Sequence, residues 1–354
     1  MTSWRGTGLL AALCAAPGIA GHEGPVAEVI SNHLSVQGIN HSTDRLGNVV
    51  AHLPAANSGA PRVLIFAHMD EVGYMVRKID ADGFLFIERV GGASAQALPG
   101  HRLQLWTDAG PLPGVAGVLP QHLANDANAA EHARTYVDIG ARSRADAQEM
   151  GVEVGCPVTY QPTCVEFNGL ITGKALDDRL GCLLLLQLAE ALQADPLSGD
   201  LYLAFVVQEE TRLRGAMPVA YTLKPDWAIG LDGTLAFDTP DPIDRQTDLR
   251  LGGGPAIKVM DHLRGQGQGF IPHLGLRKHI EHVARENDIA LQREVVIGLS
   301  TAAAPLPFMM GGLPVAAVSF PLRYSHAPVE VADVADAKAT LALLRAVIQN
   351  PWKG

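Results

Sequence analysis

The chain has 354 residues, 47% of them hydrophobic and 18% charged, and carries a net charge of -10. That is ample for a large core and long enough for a second domain. An acidic chain gains nothing from counterion release, which argues against nucleic acid as a partner, and no apolar stretch has the length of a membrane span.

Arg5 and the apolar run GLLAALCAAPGIAG imitate a secretory signal, which has a basic start and a short apolar stretch. Pro17 and Gly18 interrupt the run, and HEGPVAEVISNHL continues as an amphipathic helix. The reading preferred here is a short surface helix turning Leu9, Leu10 and Leu13 inward, then a turn and a second helix, in a cytoplasmic protein. A short strand is predicted around Asn48 to Leu53, a turn at Asn57-Ser58-Gly59, and a buried strand at VLIFA, residues 63–67. From about Glu71 to Phe167 short alternating segments separated by Gly and Pro predict a small all-β module, with QHLANDANAAEHA (121–133) as an exposed loop within it.

After Gly169 the α/β texture returns. LGCLLLLQLAEAL (180–192) reads as a buried helix, and LYLAFVV (201–207), WAIGL (227–231), PAIKV (255–259), LQREVVI (291–297) and PVAAVSF (314–320) as strands. Helices are predicted over 274–287 and 333–348. Strands alternating with helices predict a mainly parallel mixed sheet flanked by helices. The domain organisation is therefore a discontinuous α/β domain, 1–70 and 169–354, interrupted by an inserted β domain, 71–168. Cys14, Cys156, Cys164 and Cys182 form no CxxC pair and read as small buried hydrophobes rather than as a zinc cluster or a disulfide framework.

The polar residues converge on one edge of that sheet. His68 and Asp70 follow the strand 63–67, Glu209 and Glu210 the strand 201–207, Asp232 the strand 227–231, and His326 the strand 314–320; Asp177 and Asp178 precede the helix near Leu180. Open α/β sheets bind ligands at the carboxyl ends of their strands. Singly, each residue has an ordinary structural role, such as a helix N-cap or a solvated loop acid. Together, two imidazoles and several carboxylates suit zinc, cobalt or manganese. There are too many acids for one three-ligand zinc, and they fit two metals about 3.5–4 Å apart sharing a carboxylate. Adjacent Glu209 and Glu210 can serve one site only if the chain leaves strand geometry there.

AAPGIAGHEGPV, TDRLGNVVA, AHMDEVGYMV, VGG, LPG, YVDIGA, GKALDDRLGC, QEETRLRGA, LDGTLAFDTP, GGGPAI and PLRYSHAPVE follow one another along nearly the whole chain. In this the chain resembles the glutamyl and deblocking aminopeptidases, the tetrahedral dinuclear metallopeptidases, some labelled endoglucanase M. The resemblance implies a zinc-peptidase-like α/β fold with a PDZ-like insertion that mediates self-association, as a homododecamer or a dimer, around peptide substrates. It implies two divalent ions per subunit, zinc first, with His68 and Asp232 on one, Glu210 and His326 on the other, and Asp177 shared. Asp70 would orient His68, the Asp177–Asp178 peptide bond would be cis, and Glu209 would be the general base. Glu209 would take a proton from the attacking water and return it to the leaving amine.

Two segments depart from the family's pattern. Thr211-Arg212 stands where Val-Gly is usual, and GLSTAAA (298–304) where the family has Gly-Thr-Asp-Ala. An acid is lost and an arginine added near the site, which disfavours basic first residues in a substrate and favours acidic ones. The competing readings are a catalytically impaired metal-binding relative and a carboxylate-pair glycosidase. Scarce aromatic platforms and a pair of metal-type histidines argue against the glycosidase.

Overall fold

The computed structural model describes residue 4, residues 6–120, 122, 136–240, 247–263 and 268–354. Arg5 and, apart from His122, the loop 121–133 lie outside the described residues. Twelve strands form one mixed sheet. Its centre runs Asp200–Val206, Arg62–His68, Trp227–Leu235, Val315–Arg323, and all three pairings among them are parallel. Antiparallel pairs extend it on both sides. His41–Thr43 and Val49–Leu53 continue beyond Asp200–Val206; Glu330–Asp333, Leu170–Gly173 and Cys164–Phe167 continue beyond Val315–Arg323. Ala256–Leu263 branches from Val315–Arg323 and pairs with Gln268–Phe270 and Gln292–Ile297.

Central strands of a covered sheet are apolar throughout because both faces are buried. Val63 to His68 and Val315 to Leu322 are buried without interruption. Alternation then sorts their side chains. Val63, Ile65 and Ala67 pack on one face with the helix Leu176–Leu192, whose Leu183 to Leu186 are fully buried. Leu64 and Phe66 pack on the other with Ala216–Leu223, Ala302 to Ala304 and Leu306. Thr7–Ala15, Gly24–Val36, Leu274–Glu286 and Val334–Gln349 complete the first layer. In Thr7–Ala15, Leu10 and Leu13 are buried while Leu9 is partly buried. The buried Arg179 guanidinium donates to the carbonyls of Leu13 and Ala16, joining this helix to the core.

The all-β module is a closed barrel of six strands: Gly73–Ile79, Leu85–Val90, Tyr136–Asp138, Gly110–Ala116, Arg102–Thr107 and Pro157–Tyr160. Val76, Leu85, Leu105, Val137 and Val158 fill it. It also holds a short helix the texture did not suggest, Arg144–Glu149, whose start is capped by the Ser143 hydroxyl accepting from the Asp146 N–H at 3.1 Å. Cys164–Phe167, counted with the inserted module in the sequence reading, belongs instead to the large sheet: it hairpins onto Leu170–Gly173 across Asn168-Gly169. The helix Ala216–Leu223 also escaped the sequence reading. All four cysteines are free thiols. Among the described residues no helix is long and apolar enough to cross a membrane.

Candidate active site

The parallel pairing places Val206 opposite His68 and Gly230 opposite Phe66, so the strands end near one another. His68 is the last residue of its strand, buried to 1% exposure. Asp232 does not follow a strand, as the sequence suggested; Trp227–Leu235 runs three residues past it, and Asp232 points from within the strand. The chain leaves strand geometry at Gln208 (φ 56°) and at Tyr324 and His326 (φ 60° and 63°). These left-handed residues turn the adjacent acids and His326 back over the sheet edge. Glu209 and Glu210 consequently line the same cavity of about 520 Å³, together with His68, Asp177, Asp232 and His326.

Both imidazoles present Nε2 to carboxylates. His68 Nε2 lies 3.2 Å from Asp177 Oδ1 and 3.7 Å from Asp232 Oδ1. His326 Nε2 lies 3.3 Å from Glu210 Oε1 and 3.8 Å from Asp177 Oδ2. Asp177 thus divides its two oxygens between the two histidines. Each Nδ1 faces a backbone carbonyl, Asp70 at 3.0 Å for His68 and Gly92 at 3.2 Å for His326. In the neutral imidazole that arrangement keeps the proton on Nδ1 and leaves the Nε2 lone pair for a cation. The Gly91-Gly92 segment of the barrel domain needs its glycines: a Cβ on Gly92 would stand 2.5 Å from His326 Nδ1.

Asp70 is placed beside His68, with Oδ1 3.4 Å from Nδ1. Its carboxylate is also occupied elsewhere, accepting the N–H groups of Glu209 and Glu210. The peptide bond Asp177–Asp178 is cis. Asp178 accepts the His68 N–H at 3.0 Å on Oδ2, and its other oxygen has no hydrogen-bond partner. Its proximity is close enough that the ligand atoms of His68, Asp178 and Asp232 lie within 4.8 Å of one another, as do those of His68, Glu209 and Glu210. Two further residues escaped the sequence reading although both lie in PLRYSHAPVE. Ser325 Oγ donates to Asp177 Oδ2 at 3.2 Å, and Glu330 accepts backbone N–H groups from Asp177 and His326. Their only sequence signal was proximity to His326.

The electrostatics are those of a site short of positive charge. Burial opposes the charged form of His326, but Glu210 and Asp177 outweigh it and push its pKa up to about 10. Burial likewise opposes the His68 imidazolium, yet Asp177, Asp232 and Asp70 hold it well above its ordinary range. Burial would raise Asp177, but the two histidines bring it down to about 2. Glu209 and Asp178 are raised well above the carboxylate range, first by burial and then by neighbouring acids. Mixed imidazole and carboxylate donors of this kind suit zinc, cobalt or manganese, and the residues fit such ions.

Away from the acids, the cavity wall includes Arg212, Leu213, Lys258, Leu299 and Ser300. Both departures from the family pattern therefore face the site. Lys258 is fully buried and donates to Glu294 at 3.2 Å, with Asp261 at 3.8 Å. Ser300 Oγ donates to Asp261 at 3.4 Å, and burial pushes Asp261 up to about 6.

The profile of the M42 glutamyl aminopeptidase family matches residues 47–343. The chain is 41% identical over 334 residues to SgcX of Escherichia coli (strain K12), a provisionally named aminopeptidase, covering 93% of this chain and 89% of the relative. Among solved structures it is similar to the aminopeptidase APDkam598 of the archaeon Desulfurococcus kamchatkensis, with a TM-score of 0.91, 32% identity, and coverage of 98% and 95%. It is also similar to the Pyrococcus horikoshii TET1 peptidase, described as assembling into a tetrahedron or a large octahedral shell, with a TM-score of 0.86, 29% identity, and coverage of 97% and 99%.

Proposed function

The chain belongs to the M42 glutamyl aminopeptidase family, a family of peptidases, and from that premise we propose that it removes amino-terminal residues from peptides with two divalent metal ions and Glu209 as general base. The observation that carries this reading is the division of Asp177 between His68 and His326. His68 and Asp232 would hold one ion, Glu210 and His326 the other, and Asp177 would touch both. Zinc suits these donors first, with cobalt and manganese acceptable. Bound there, the ions would lower the pKa of water and polarise the scissile carbonyl.

The protein's own groups account for the remaining steps. Asp177, Asp232 and Glu210 hold the histidines with Nε2 facing the cavity. Glu209 is 8% exposed and surrounded by Asp232, Glu210 and Asp70, which makes it a stronger proton acceptor than an exposed glutamate. It takes a proton from water and delivers it to the leaving amine. The acids lining the cavity favour a free α-ammonium group, which would confine cleavage to the amino end.

Of the charged side chains lining the cavity beyond the acids, Arg212 and Lys258 are both cationic. This supports a bias against basic first residues, although Glu294 and Asp261 temper Lys258. A panel of aminoacyl chromogenic substrates decides it, and a preference for lysine would overturn the bias. The Pyrococcus horikoshii peptidase is described as assembling into a tetrahedron or a large octahedral shell, which supports self-association; the size proposed for this chain is a dodecamer or a dimer, joined through the barrel in the cytoplasm, and light scattering measures it. The central test is peptide hydrolysis before and after treatment with EDTA. Activity must vanish with the metal and return with added zinc or cobalt. Hydrolysis that survives complete chelation refutes the reading.

A further inference from the structure

Glu330 lies four residues beyond His326 and opens the strand Glu330–Asp333. That strand pairs antiparallel with Leu170–Gly173, setting Glu330 opposite Gly173. The register carries the Glu330 side chain to the start of the segment that leads into Asp177. It is 1% exposed. Its Oε2 accepts the Asp177 N–H at 3.0 Å, and its Oε1 accepts the His326 N–H at 2.8 Å. One buried carboxylate therefore joins the backbones of two residues that are distant in sequence and adjacent in the site. Glu330 does not line the cavity, so it touches no substrate.

We infer that Glu330 is a positioning residue: it sets the distance between Asp177 and His326 and thereby the affinity of the site for its second cation. This rests on the functional reading above. The chemistry of the contact explains why a carboxylate is needed. Two N–H donors require two acceptor oxygens, and a carboxyl group presents both. A glutamine of the same size keeps one oxygen and turns an amide N–H₂ toward the other donor. An aspartate keeps the charge but is one methylene shorter, so it cannot reach both donors with the backbones in place. Groups that orient metal ligands from behind change metal affinity by about 10- to 100-fold when removed.

The test is a titration of the metal-free chain with Co²⁺, followed by its visible absorption, for wild type, Glu330→Gln and Glu330→Asp. Wild type should take up two equivalents. Glu330→Gln should bind the weaker equivalent about 10- to 100-fold less tightly, with the circular dichroism of the metal-free chain that of wild type although its thermal midpoint falls, because one buried N–H loses its acceptor. Hydrolysis by this variant should recover in excess Co²⁺, with kcat restored and KM unaltered. Affinity within twofold of wild type would overturn the inference, as would a deficit in kcat that excess Co²⁺ does not relieve. Should Glu330→Gln fail to fold without metal, Glu330→Asp takes its place under the same criteria. A wild-type chain that binds no Co²⁺ refutes the functional reading itself, which is a different result from a variant that binds as well as wild type.

Discussion

The carboxylate of Asp70 accepts the backbone N–H of Glu209 on one oxygen at 2.9 Å and that of Glu210 on the other at 3.0 Å. Asp70 is fully buried, so these bonds have no competition from water. They hold both glutamates on the cavity side of a turn where a strand would send them to opposite faces. Replacing Asp70 by Asn leaves one of the two N–H groups facing an amide N–H₂. A buried donor left unsatisfied costs about 1–3 kcal/mol. Urea denaturation of Asp70→Asn should show a loss of that size, accompanied by a fall in kcat/KM. Wild-type stability with wild-type activity would show that the bracing is dispensable.

Glu209→Gln keeps the size and burial of the side chain and removes its capacity to accept a proton. Metal content should remain that of wild type, because the proposed ligands are untouched. The rate should fall by about 100- to 10,000-fold, the range for a lost general base. Undiminished hydrolysis would refute the assignment.

The metal-free chain should lose stability as pH rises. His326 has an ordinary pKa of 6.5 and is pushed up to about 10 in the folded chain. Its contribution is complete below pH 6.5 and is lost as pH climbs through 10. Burial first, and Asp177 second, push Glu330 from 4.5 up to about 8, so it acts in the same direction over pH 4.5 to 8. Bound divalent ions replace those protons and bind better as the imidazoles deprotonate. Melting temperatures measured with EDTA should therefore fall between pH 6 and 9, while the increment from added zinc grows. A metal-free midpoint that is flat or rising over that interval contradicts the charge balance described for the site.

Gly92 is one of the points at which the barrel domain touches the site. A Cβ there would lie 2.5 Å from His326 Nδ1 and 2.8 Å from Cε1, so the imidazole must move. Displacement of a reacting or ligating group by about 1 Å can cost on the order of 100-fold in rate. Gly92→Ala should lose activity on that scale while circular dichroism stays that of wild type. Gly24→Ala, where nothing lies within 4 Å, is the control and should retain activity. Equal activity in the two variants would show that His326 has room to adjust.

Much of this protein was legible from the sequence because its signals are local. Unbroken apolar runs such as VLIFA mark strands covered on both faces, and residues placed after those runs fall at one sheet edge wherever the strands are parallel. The residue types that gather there, histidine and carboxylate, already specify a cation site. The tertiary structure decided what depends on partners far along the chain. It showed Asp232 inside a strand rather than beyond one, because pairing with Val315–Arg323 carries that strand past Leu231. It moved Cys164–Phe167 into the large sheet, since short alternating segments look alike in a barrel and at a sheet edge. Alternation also could not reveal the left-handed turn at Gln208 that lets Glu209 and Glu210 share one cavity. Nor could it distinguish Glu330 from any acid at the head of a strand. A hydrogen bond between a side chain and a distant N–H leaves no periodicity behind, so the roles of Asp70 and Glu330 exist only once the chain has folded.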